Sequence, residues 1–330
     1  MPPELTPTRL AEPAPRATRA LAAERLAQVS AAYDRFVAGE PTGLHDLRVA
    51  LRRLRSWLRA YRPEVDDTLR KKTRRRLNKL AKATNGARDA EVALEWIAAQ
   101  SDITARDKPG ARYIAERLEQ EREAALQATH ATLDSDLPKL VTSLAEELET
   151  YWLRRSVAEP DPVIRMSSVT RDVLVEHGER LVRALGRIES PADFEGIHRA
   201  RIAAKRLRYL LETLNGDPAA VALVKRLSGL QDALGHSHDA HRITSRLVRE
   251  LGECAARDAR LSALRALEIG EDADGNVPFS KVRPGLTALA KRAHQSDRKA
   301  YDHIRRSWRK RDAQKALSAV EALAESLVSG

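Results

Sequence analysis

The chain has 330 residues, 42% apolar but only 4% aromatic, so Leu and Ala must fill any core; that favours packed helices over a β-sandwich. A net charge of +11 and a pI near 9.9 point to an acidic partner. The single cysteine, Cys254, excludes an internal disulfide, and no apolar run approaches the ~18 residues that mark a membrane span, so a cytoplasmic protein with no membrane partner is expected.

Residues 1–17 contain five prolines and read as a flexible tail. From Thr18 the apolar spacing is helical to about Ala38, with Gly39 as a stop. A second helix starts at Thr42, a plausible N-cap, and runs to just before Pro63. A third covers roughly 65–83 and ends near "TNG"; a fourth runs from about Asp89 to Gln100. Long helices follow at 109–134 and 137–157, and "AEPDPV" (158–163) reads as a linker. Beyond it, Ser190-Pro191 with Asp193 forms a helix start that combines a cap with Pro at the first turn. No stretch alternates as a strand would, so the expected class is all-α.

The segment "HDLRVALRRLRSWLR" sets His45, Arg48, Arg52, Arg55 and Arg59 at steps of three and four, which places them on one helical stripe. Leu44, Leu47, Leu51, Leu54 and Leu58 follow the same rhythm one position earlier and form the stripe to be buried. Concentrating like charges costs a few tenths of a kcal/mol per pair, which suggests an acidic face nearby or an absent anion. The basic excess is local: residues 45–82 carry fourteen Lys/Arg against four Asp/Glu, whereas 112–150 carry four against nine.

The pattern recurs. In "IHRARIAAKRLRYLLETLNG", His198, Arg201, Lys205 and Arg208 superpose on His45, Arg48, Arg52 and Arg55 at an offset of 153, with Glu212 in the place of Arg59. Arg53 and Arg206 also match, a step off the stripe. Downstream, "LNKLAKATNGARDA" aligns with "LSGLQDALGHSHDA" at an offset of 150. Two blocks in the same order argue for an internal duplication, with halves at about 18–157 and 164–320. A third basic stripe, Lys72, Arg75, Lys79 and Lys82, keeps only Lys225 in the second half, where Gly229 and Asp232 replace two of its cations.

A histidine opening a helix and followed by R-x-x-x-[RK]-R-L-R, twice in one chain, resembles the CHAD family of histidine-bearing α-helical domains. The two His-Arg segments carry the resemblance, each followed by a Leu-rich helix and then Arg88-Asp89 or His238-Asp239. It spans about residues 18–315. The resemblance implies two helical bundles related by a pseudo-twofold that enclose a basic groove or pore. It further implies binding of inorganic polyphosphate without catalysis or cofactor, and residence in polyphosphate granules. The Glu-x-Glu-x-Lys signature of the triphosphatase domain to which some members are fused is missing here, so that activity does not carry over.

The residue chemistry agrees. Arg offers a planar fork to phosphate oxygens and Lys a compact charge, and a helical stripe repeats a cation about every 5 Å along its axis. Basic stripes are often only solvated faces, and the C-terminal run with Arg298, Arg305 and Arg309 fits that plainer description. "HSHDAH" (His236, His238, His241) invites a metal reading, but its repeat partner "GARDAE" has no matching histidine. "DADG" (272–275) places glycine wrongly for a calcium loop. Trp57, Tyr61 and Tyr209 adjoin the stripes without interleaving them, which makes sequence-independent nucleic-acid binding the second reading, alongside other polyanions.

Overall fold

The computed structural model describes residues 4–155, 164–267, 278–308 and 310–329, with the side chains of 151–155 left aside. These residues form α1 (Pro7–Ala11), α2 (Ala14–Val37), α3 (Gly43–Ala60), α4 (Lys71–Ala83), α5 (Asn85–Ala98), α6 (Lys108–Arg155), α7 (Met166–Gly186), α8 (Phe194–Leu211), α9 (Pro218–Ala266), α10 (Phe279–Ser307) and α11 (Lys310–Ser329). The class is all-α; no strand occurs among the described residues, only an isolated bridge between Pro13 and Arg165. No described helix is long and apolar enough to cross a membrane.

Two compact units divide the chain. The first comprises 1–85, 128–232 and 306–330, the second 86–127 and 233–305. These are not the halves drawn from the repeat: α6 and α9 each give residues to both units, so compactness cuts through both expected halves.

In the first unit α2 packs on α3, α7 on α8 and α11, and α3 on both α4 and α8. The Leu stripe of α3 behaves as its spacing demands: Leu47, Leu51, Leu54 and Leu58 are buried, with Trp57 and Tyr61 behind them. The turn from α2 into α3 depends on two glycines. Gly39 has φ of +75°, a conformation L side chains rarely adopt. At Gly43, a Cβ would lie 2.6 Å from the Phe36 Cα, so only glycine permits the helices to approach this closely. Asp193 caps α8 as its position predicts, accepting the Gly196 N–H at 2.8 Å.

The flexible tail expected for residues 1–17 is a correction. Thr6 caps α1, Leu5 is buried, and Ala14 and Ala17 are fully enclosed. Backbone bonds hold the segment down: Leu5 N–H to Thr213 O (2.7 Å), Ala14 N–H to Ile164 O (2.9 Å), and Met166 N–H to Glu12 O (2.8 Å). The prolines mislead because Pro7 and Pro15 occupy first turns, where no N–H bond is lost.

Two predicted helices at 109–134 and 137–157 are one, α6; Pro138 lies inside it, its missing N–H tolerated within a continuous helix. The start of the third helix shifts from 65 to Lys71, because Val65 and Leu69 are buried in turns. The linker at 158–163 and the loop at 272–275 lie outside the described residues.

The second unit has its own core, with Ala90 and Ile97 of α5, Ile114 of α6, Leu247 of α9, and Val282 and Leu286 of α10.

Candidate polyanion-binding site

Every residue of the three basic stripes, and Lys225, falls in the first unit. On α3, His45 and Arg59 are exposed while Arg48, Arg52 and Arg55 are half-buried. On α8, His198, Arg201, Lys205 and Arg208 are half-buried, and His198 stacks on Phe194 with ring centroids 6.1 Å apart. The C-terminal halves of these two helices meet. Arg52 lies over the Tyr209 ring at 5.9 Å and Arg208 over the same ring at 5.5 Å, so one buried aromatic carries cations from both stripes.

The electrostatics of this meeting are unfavourable in the protein alone. The Arg52 Nε is buried without a hydrogen-bond partner among the described residues. Burial holds the Arg55 guanidinium below its ordinary pKa, and Arg59 and Arg52 push it the same way. Arg206 is lowered to about 10 by burial, then by Arg59, Arg180 and Arg55. No carboxylate comes within ion-pair distance of Arg52, Arg55, Arg59 or Arg206 among the described residues. For Arg55 and Arg206 burial and neighbouring cations thus disfavour the charged form, an effect that a nearby anion would oppose.

Glu212, which replaces the last stripe cation in the second repeat, pairs with Arg53 at 3.0 Å and Arg208 at 3.4 Å. It neutralises that end of the α8 stripe. Arg25, missed by sequence reasoning because it belongs to no basic stripe, lies near this corner. It is buried over the Trp57 ring at 5.3 Å and lowered to about 10, first by burial and then by Arg53, with Glu212 opposing.

On α4, Lys72, Arg75, Lys79 and Lys82 are all exposed. Lys79 is held by Asp136 of α6 at 2.6 Å, which weakens this stripe as an anion site. Lys225, also exposed, lies on α9 close to where that helix is tied to α8 by Gln231 Nε2 to Ala204 O, 2.9 Å. Trp57, Tyr61 and Tyr209 are core residues: Trp57 Nε1 donates to Thr18 O (2.9 Å) and the Tyr61 hydroxyl meets Thr170 Oγ1 (3.2 Å).

Of the C-terminal run, Arg298 and Arg305 belong to the second unit, and Arg309 lies outside the described residues. The "HSHDAH" segment lies on α9 in the second unit, where Ser237 Oγ donates to Asp297 at 2.6 Å and His241 Nδ1 stands 3.7 Å from the same carboxylate. No group of three His, Cys, Asp or Glu side chains among the described residues could hold a metal ion.

The family model described as "CHAD domain" matches residues 20–248, ending short of the 315 expected from the motifs. Among solved structures, the CHAD domain from the plant Ricinus communis is similar, with a TM-score of 0.59 and 25% identity, covering 84% of this chain and 93% of that one. PptA from Streptomyces chartreusis shares the fold at a TM-score of 0.67 and 14% identity, over 90% of this chain and 99% of that one. No curated protein matches the chain.

Proposed function

The chain belongs to the CHAD domain family, a family associated with polyphosphate-related proteins, and from that premise we propose that it binds inorganic polyphosphate without catalysis. The observation that carries the reading is the packing of α3 against α8, which gathers Arg52, Arg55, Arg59 and Arg206 with no carboxylate at ion-pair distance among the described residues. Such an arrangement is unfavourable empty and favourable around a polyanion. His45, Arg48, His198, Arg201, Lys205 and Arg208 extend the same two helices' basic faces, along which a phosphate chain lies without any sequence to be read. Two helical halves related by a pseudo-twofold around a shared basic groove are part of this proposal. Location in polyphosphate granules follows from the same affinity.

Sequence-independent binding of nucleic acid uses the same charges. Three aromatics adjoining the stripes, Trp57, Tyr61 and Tyr209, are buried, which argues against base stacking. The deciding experiment is a competition between long-chain polyphosphate and single-stranded DNA at about 0.15 M salt. Preference for polyphosphate at equal phosphate concentration is expected, with log K falling by about 0.7–0.9 per decade of salt for each phosphate neutralised, by analogy with nucleic acids. Preference for DNA, or a flat salt response, overturns the reading.

A further inference from the structure

The offset of 153 that superposes the two His-Arg helices also maps Arg53 onto Arg206 and Arg59 onto Glu212. Where α3 meets α8, Arg53 faces Glu212, and Arg59 acts electrostatically on Arg206. These are the same pair of positions seen from either helix. One is closed by an ion pair; its counterpart sets two arginines against each other. Glu212 supplies an anion to Arg53, whereas Arg59, at the matching position, supplies none to Arg206.

A cavity of about 410 Å³ opens on the uncompensated side. It is lined by Arg59 and Ser56 of α3, Arg206 of α8, and His177, Arg180 and Val173 of α7, among others. Two carboxylates also border it, and both are engaged: Glu176 bonds Arg180, and Asp172 is bonded by Arg171 at 2.9 Å. Arg59 and Arg206 have no such partner among the described residues. His177 is 5% exposed, and its side chain borders the cavity with no hydrogen bond to another described side chain. The imidazole and the two guanidinium groups thus line one cavity with donors that no protein carboxylate occupies.

We propose that this cavity is a binding site for a compact diphosphate group, either free pyrophosphate or the terminus of a phosphate chain. Arg59 and Arg206 supply charge, and His177 supplies one N–H donor. The site lies at the C-terminal end of the α3 stripe, where Arg59 is the last cation, and takes its ligand end-on. It shares Arg59 and Arg206 with the polyphosphate reading and adds to it a compact ligand that the reading does not require. Two facing arginines match the forked geometry of phosphate oxygens. The Ser56 hydroxyl and the volume of about 410 Å³ suit a small ligand. Burial, Arg180, Arg206 and Arg59 hold His177 at about 4, so it meets the ligand as a neutral donor.

The test is calorimetric titration of the full chain with pyrophosphate. Saturable binding of one pyrophosphate per chain is expected, weakened at least about tenfold by Arg206→Gln and measurably by His177→Asn. Because Arg206 is half-buried, the exposed Arg59→Gln provides a second variant, expected to lose affinity without losing helicity by circular dichroism. The stripe variant Arg48→Gln/Arg201→Gln should retain pyrophosphate binding. To separate the two sources, tripolyphosphate is compared with cyclic trimetaphosphate: displacement of pyrophosphate by the linear chain alone assigns the site to chain ends. Displacement by neither assigns it to free pyrophosphate. Unchanged affinity in the Arg206 and Arg59 variants, or equal loss in the stripe variant, overturns the proposal. So does absence of pyrophosphate binding to the wild-type chain. Failure to bind long chains while pyrophosphate binds would sink the polyphosphate reading and leave this one standing.

Discussion

Two groups of arginines, one in each unit, are handled in opposite ways. On α5, α6 and α9 in the second unit several are paired: Arg242 with Asp89 at 2.7 Å, Arg88 with Glu95 at 2.9 Å, and Arg246 with both Glu121 and Glu250. Glu250 is fully buried, with Arg246 at 2.8 Å and Arg117 at 3.3 Å. In the first unit the cations of α3 crowd one another. Equal use of arginine therefore serves different ends. The paired set supports the fold, while the crowded set costs some stability, a cost that the proposed anion would offset.

The sharpest way to break this contrast is charge reversal. Arg52→Glu with Lys205→Glu should weaken long-chain polyphosphate binding by roughly 10²–10⁴-fold, the equivalent of two lost charge-assisted contacts, in an equilibrium binding assay. Arg117→Gln with Arg122→Gln, in the acidic middle of the chain, should stay within about threefold. A logarithmic loss on reversal no more than about twice that of the neutralised pair, matching the twofold larger change in net charge, would mean that only net charge matters.

Acid titration comes next. His177 is depressed to about 4 from an ordinary value near 6.5, so the unfolded state binds the proton more readily between those values. Stability supplied by the neutral ring is complete above about 6.5 and is lost as pH falls towards 4, up to roughly 3 kcal/mol. His177→Asn should flatten that part of the urea-unfolding profile; an unchanged slope would place the acid sensitivity elsewhere.

A stability measurement then separates the units directly. Arg117→Gln should destabilise by about 1–3 kcal/mol, because buried Glu250 loses a cation. Arg52→Gln should cost nothing or raise the melting temperature slightly, since it relieves like-charge crowding. The smallest effect belongs to Glu212→Gln. Releasing Arg53 and Arg208 should raise polyphosphate affinity about two- to fivefold, read in the same binding assay.

Much of the first unit was legible because helical period reports which residues share a face. The Leu and Arg stripes of α3 are one position apart in sequence, and their burial and exposure follow directly. Periodicity says nothing about which helix lies opposite. The Arg53–Glu212 pair spans 159 residues, and the cavity near His177 needs three helices to exist. Arg25 and His177 carry no local signal, since neither belongs to a periodic set of like residues on its helix. The N-terminal prolines misled for a related reason: proline marks a chain break or a first turn, and only the surrounding partners decide between them.

Those partners bear on the order in which the protein is made. Residues 5–14 are synthesised before the partners that hold them: Leu5 bonds Thr213, Glu12 bonds Met166 and Ala14 bonds Ile164 through backbone atoms. Their seat is incomplete until Thr213 has been added. Until then α1 and the start of α2 have only each other and the nearby α2–α3 pairing, so the emerging chain must wait, with apolar Leu5, Ala14 and Ala17 uncovered. Nascent chains arrested before and after residue 213 clears the exit tunnel should therefore differ sharply in protease sensitivity near residues 5–17.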